Sequence, residues 1–166
     1  MNVWAGIIGD KIIGPFFFED NLNGDLYLNF LQTFLIPELQ RIFPDDDGNL
    51  DQRIFFQQDG APPHFARNVR EFLNVTFPNR WIGRRGFIEW PPRSPDITPL
   101  DFYLWGDLKR RVYVTRPRNL EELKARIRAE IRLITPEVLN RVKEEFYHRL
   151  GLCQQVHGEH FQQLLH

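Results

Sequence analysis

The 166-residue chain is short of thiols, with one cysteine, Cys153. That excludes an internal disulfide and any cysteine-based zinc site. No apolar run approaches the roughly 18 residues that a membrane-spanning helix needs. The N-terminus lacks a basic region followed by an apolar one, so neither a membrane segment nor a signal peptide is expected. There is no glycine-rich phosphate loop, no Ser-His-Asp ordering and no His-Glu-x-x-His helix. Enzyme classes built on those devices fall away, and no small-molecule substrate is suggested.

What is present suits one folded domain of ordinary size. Apolar residues make up 42% of the chain, with 15 Phe and 4 Trp, so disorder is not expected. The net charge of −1 conceals a division. Residues 1–60 carry 3 Lys+Arg against 10 Asp+Glu, and residues 61–166 carry 18 against 12. An acidic half able to hold a metal ion and a basic half able to meet phosphates would suit a nuclease. Charged helices with solvated faces give the same count.

The patterning is α/β. Apolar runs over residues 3–9 and 11–19 predict a hairpin, with Pro15 marking an edge position or a bulge. Asn23-Gly24 offers a helix start, and Leu26, Tyr27, Phe30, Leu31, Phe34 and Leu35 follow helical spacing until Pro37 kinks or restarts the helix. Asp45-Asp46-Asp47-Gly48-Asn49 reads as a solvated loop. Residues 53–58 read as a strand ending at Asp59, residues 64–74 as a short helix, and residues 86–90 as another strand. A helix opens near Asp101 and runs to about Arg111. Asn119 with Glu122 forms a capping-box pattern, and Thr135-Pro136 starts a last helix that Gly151 would end. The expected division is a domain over residues 1–151 and a loose tail over 152–166.

Two stretches read as sites. One is Phe55-Phe56-Gln57-Gln58-Asp59-Gly60-Ala61-Pro62-Pro63-His64. The other runs from Trp90-Pro91-Pro92-Arg93-Ser94-Pro95-Asp96 through Ile97-Thr98-Pro99-Leu100-Asp101-Phe102-Tyr103-Leu104-Trp105-Gly106. Asp59 and Asp101 each lie where a strand or loop meets a helix, and 41 residues separate them. On its own, an Asp at a helix start reads as a cap. Arg80, Arg84, Arg85 and Arg93 cluster around Trp81 and Trp90, a basic and aromatic stretch that could meet phosphates and stack on bases. Phe102 and Trp105, at helical spacing, read as core. Two carboxylates could also describe a glycosidase, but nothing else in the chain suggests sugar binding.

These two blocks resemble the second and third acidic motifs of mariner-type transposases, and the resemblance runs through most of the chain. It implies a ribonuclease-H-like mixed sheet with flanking helices and a helical C-terminal third. It also implies metal-dependent DNA cleavage and strand transfer, with Asp59 and Asp101 as catalytic metal ligands for a two-ion Mg²⁺ or Mn²⁺ site. Asp96 would shape the proline-rich turn rather than bind metal. His64 matches a histidine of the family motif and, with Arg84, Arg85 and Arg93, becomes a candidate for nucleic-acid contact. DNA is the implied partner and the nucleus the implied location, and a homodimer stays open. No residue matches the family's first acid, which belongs to a first strand upstream of Val3, nor its helix-turn-helix region. The expectation is an N-terminally truncated, transposase-derived domain, inactive by itself. The alternative is a non-catalytic module that binds nucleic acid or protein. With that strand missing, residues 3–9 should pair directly with residues 53–58, or leave an open groove.

Overall fold

The structure, a computed structural model, describes residues 1–90 and 97–155. The chain divides into two units. One combines residues 1–19 with the chain from 94 onward, and the other spans residues 20–93.

In the first unit, β1 (Asn2–Ile8) and β2 (Lys11–Phe18) form an antiparallel hairpin closed by Gly9 in a left-handed conformation. Trp4 faces Phe16 and Gly6 faces Ile13, so the register slips by one residue at Gly14-Pro15. This is the bulge that Pro15 predicted, because a proline cannot donate to the ladder. Gly14 takes φ +99, and a Cβ there would stand 3.0 Å from the Trp4 carbonyl.

A π-helical turn, Leu100–Trp105, leads into α4 (Gly106–Val112), followed by α5 (Leu120–Arg132) and α6 (Pro136–Gln155). Leu108, Val112, Ile127 and Ile131 form a core onto which Val3, Ile12, Phe17, Trp105 and Leu123 pack. The hairpin thus covers the α4–α5 pair. Asn119 caps α5 by accepting from the Glu122 N–H at 2.8 Å, while the Glu122 carboxylate reaches back to the Arg118 N–H at 2.7 Å. That is a capping box displaced by one residue. Lys124 is buried in this helix, and its ammonium donates to Glu19 and Glu121, both at 3.0 Å. Two carboxylates satisfy a charge that would otherwise be costly to bury. The last helix does not stop at Gly151 but continues to Gln155. One glycine costs a helix only about 1 kcal/mol, and the residues on both sides of this one favour continuation.

In the second unit, Asn23 caps α1 (Gly24–Phe30) through a 2.9 Å bond from the Leu26 N–H. A π turn over Leu31–Leu35 joins α1 to α2 (Ile36–Ile42), and the Ile36 N–H bonds Leu31 O, five residues back. Pro37 explains the restart. It has no N–H, and its ring would strike the Thr33 carbonyl in a regular helix. Beyond α2, Asp45 accepts the N–H groups of Asp47 and Asn49 at 3.0 and 2.7 Å. The three adjacent acids therefore form a turn.

A parallel sheet follows, in the order β3 (Phe56–Gln57), β4 (Trp81–Gly83), β5 (Ile88–Glu89). A 3₁₀ turn, Pro62–Phe65, and α3 (Arg67–Thr76) link β3 to β4. The strand expected over residues 53–58 is shorter, because Asp51 and Arg53 fold the chain into a turn just before it. β3 pairs with β4, its Phe56 and Gln58 N–H groups donating to Arg80 O and Ile82 O at 2.9 and 3.0 Å, while β1 pairs with β2 in the other unit. Tyr27, Phe30, Leu31, Leu35, Leu39, Leu50, Val69, Leu73, Phe77 and Trp81 are the buried apolar residues of this unit.

The Asp51–Arg53 turn carries a pH signature. Asp51 accepts the Arg53 N–H at 2.8 Å and its guanidinium at 2.6 and 3.0 Å. Those bonds, the guanidinium's first, bring the carboxyl from 3.8 to about 2. A carboxyl whose folded pKa is depressed contributes stability that is complete above its unfolded value and is lost as pH falls through the folded one. The difference in urea midpoint between the parent and Asp51→Asn should therefore be full at about pH 5, fall steadily towards pH 2 and vanish only below it. A difference independent of pH would refute this role for the pair.

Candidate functional site

Asp59 sits one residue past the last ladder bond of β3, at the carboxyl end of a parallel sheet, where ligands of α/β sheets bind. Gly60 and the two prolines that follow Ala61 turn the chain sharply and fix a local cage. Asp59 Oδ1 accepts the Ala61 N–H at 3.0 Å and lies 2.5 Å from His64 Nδ1. His64 is largely enclosed, whereas the Asp59 side chain is 60% exposed. The His64 hydrogen bond, assisted by its charge and by the Ala61 N–H, lowers the Asp59 pKa against the opposing effect of burial. Asp59 is therefore ionised at neutral pH. Its Oδ2 has no hydrogen-bond partner among the described residues.

Behind this pair lies a buried network that the sequence did not disclose. The Tyr27 hydroxyl donates to Gln58 Oε1 at 2.9 Å, and Gln58 Nε2 donates to the His64 carbonyl at 2.7 Å. The Tyr27 and His64 rings lie 4.3 Å apart between centroids. Gln58 alternates with its neighbours so that Phe56 and Gln58 share one strand face. A polar residue on the inward face, beside a candidate acid, was the one available signal. Tyr27 gave none, because its spacing matched an ordinary helix core.

The basic stretch resolves into different roles. Arg84 and Arg85 are exposed and lie over the Phe65 ring, at 4.2 and 5.8 Å. A Cβ on Gly60 would approach the Arg84 side chain at 3.5 Å, which places this arginine beside the Asp59 turn. Arg80 faces inward, donating to Ile54 O at 2.7 Å and Gln52 Oε1 at 2.8 Å. Trp81 is fully buried and donates from Nε1 to Asn74 at 2.8 Å, so it cannot stack on a base. Arg93 and Asp96 lie outside the described residues.

Asp101 occupies the other unit. It is exposed, in the first turn of the Leu100–Trp105 π segment, and its N–H donates to Thr98 O at 2.9 Å. The helix opening expected there is present, although Asp101 lies inside the first turn rather than at the cap. Phe102 and Trp105 are half-buried, and the Arg149 guanidinium covers Phe102 at 4.3 Å. Within its own unit, each acid offers carboxylate oxygen, the donor that hard divalent ions prefer. No group of three or more His, Cys, Asp or Glu side chains suited to a metal occurs among the described residues. Asp59 and Asp101 thus fit a divalent ion as individual ligands, with its other positions left to water or further groups.

No family model matches the chain. The Tcb1 transposase of Caenorhabditis briggsae is 30% identical over 150 residues, which is 89% of this chain and 48% of that protein. The Tc3 transposase of Caenorhabditis elegans is 30% identical over 111 residues, 67% of this chain and 29% of that protein. The chain therefore spans about half or less of the curated relatives it matches. Among solved structures, the catalytic domain of Mos1 mariner transposase superposes with a TM-score of 0.72 at 24% identity, covering 92% of this chain and 69% of that one. The same transposase has been solved with Mg, with Mn and in a paired-end complex with a left transposon end. The homologues of this chain are Tc1/mariner transposases, and its fold is the ribonuclease-H-like fold of the mariner catalytic domain.

Proposed function

We propose that the chain is a transposase-derived DNA-processing domain in which Asp59 and Asp101 are ligands for divalent metal, Mg²⁺ or Mn²⁺. The observation that carries this reading is the ionised Asp59 at the end of β3, with one oxygen bound by His64 and Ala61 and the other without a hydrogen bond among the described residues. A pair of such ions activates water and stabilises the leaving oxygen in phosphodiester displacement. His64 holds Asp59 in one orientation and keeps it ionised. Arg84 and Arg85, stacked on Phe65, present positive charge beside that turn to a DNA phosphate, and Arg93 continues the same basic stretch in sequence. A DNA substrate of this kind places the chain in the nucleus.

Only two of the three acids that the resemblance implies are matched, so this polypeptide by itself should not cut DNA. Incubated with supercoiled plasmid in Mg²⁺ or Mn²⁺, the purified chain should leave it intact. Nicking that Asp59→Asn abolishes would overturn the inactivity. Metal binding is the separate test of the site. Calorimetry should detect Mn²⁺ binding that Asp59→Asn and Asp101→Asn each weaken by about tenfold, roughly 1.4 kcal/mol. Affinity equal to the parent's in both variants, or no binding heat in the parent, would favour the non-catalytic module.

A further inference from the structure

A second charged surface lies in the unit that carries Asp101. Phe102 and Tyr103 from the π turn, Gly106, Asp107, Arg110 and Arg111 from α4, and Val138 and Arg141 from α6 line a groove of ≈ 610 Å³. Three guanidinium groups and one carboxylate face it. Asp107 bonds both α4 arginines, Arg110 at 2.5 Å and Arg111 at 2.8 Å. Two like charges that would repel are thereby held side by side. Arg111 also lies 3.8 Å from Glu130 of α5. Arg141 enters from the opposite helix, is exposed, and has no ion pair or hydrogen bond among the described residues. Burial, and then the Asp107 charge, raise the Tyr103 pKa, so its hydroxyl stays a hydrogen-bond donor.

We infer that this groove is a second DNA contact, in which Arg110, Arg111 and Arg141 bind the phosphodiester backbone and Tyr103 donates to a phosphate oxygen. The inference rests on the reading above that the chain meets DNA. Three features favour phosphate over other ligands. The charge is net positive after Asp107 is counted. The donors are guanidinium forks, which match phosphate geometry. Two of the forks are fixed in place by a shared carboxylate, so less side-chain freedom is lost on binding. The Phe102 face is already covered by Arg149, which argues against a stacked base and for a backbone contact. Contacts of this kind set register and orientation rather than sequence preference.

The test is duplex binding by fluorescence anisotropy on the full chain, in EDTA so that metal plays no part. Arg141→Ala should weaken binding several-fold, uniformly across sequences, and lower the salt slope by about one. Arg141→Lys should keep the slope, and Arg132→Ala, an exposed arginine of α5 outside the groove, should change neither quantity. If Arg141→Ala binds like the parent while Arg84→Ala loses affinity, the groove inference fails and the DNA reading stands. If the parent binds no duplex, both fail. Polyglutamate of matched charge that displaces duplex as well as duplex displaces itself would assign the groove to an acidic protein and overturn the inference.

Discussion

Replacing Trp81 with alanine should cost about 3–5 kcal/mol of stability, the range for deleting a buried aromatic ring. Trp81 is fully enclosed, and its ring lies so close to Gly86 and Gly83 that a Cβ on either would approach it at 2.8 and 3.1 Å. The ring is therefore a platform over which the Arg84–Phe87 connection is folded. A domain is typically stable by only about 5–15 kcal/mol, so the loss should be plain in urea unfolding followed by far-UV circular dichroism. Trp81→Phe should cost less, since an aromatic ring remains and the exposed Asn74 can turn to water. A loss under about 1 kcal/mol for Trp81→Ala would mean that the site collapses around the missing ring. It would also remove the argument that Trp81 positions Arg84.

Leu104→Ala is the matching prediction in the other unit. Leu104 is fully buried within the π turn that carries Asp101. Deleting a buried leucine leaves a cavity and typically costs about 2–5 kcal/mol. The same substitution should weaken Mn²⁺ binding at Asp101, because the turn that aims the carboxylate loses its anchor. Unfolding curves and calorimetry on one preparation measure the two effects. Full destabilisation with unchanged metal affinity would show that Asp101 is aimed by its backbone alone.

Local chemistry made much of this fold legible. Asn23, Asn119 and Thr135-Pro136 mark helix starts through bonds or ring geometry that act within one turn of chain. Asp59 and Asp101 stood out because each sits in a distinctive block at the edge of an element. What escaped depended on partners distant in sequence. β4 was hidden because Arg80 and Trp81 look like a surface for nucleic acid, whereas the first is bonded to Ile54 and Gln52 and the second is the centre of a core. The Tyr27–Gln58–His64 network joins residues from three separate segments, and no periodicity announces it. Leu120, which opens the apolar stripe of α5, is 46% exposed, while Lys124 is buried. The difference lies in Glu19, 105 positions away, which supplies the charge that Lys124 needs.

The wide turn at Leu100–Trp105 has one more implication. Each residue of an ordinary helix advances by about 100°, so an acid three, seven and eleven places before Leu104, Leu108 and Val112 would fall on their stripe. All three are buried. A π turn inserts one extra residue and rotates everything upstream by about the same angle. Asp101 thereby leaves the apolar stripe and meets solvent. Winding the same residues as an ordinary helix, with none removed, would swing the carboxylate underneath, exchanging a solvated acid for a charge trapped against leucines.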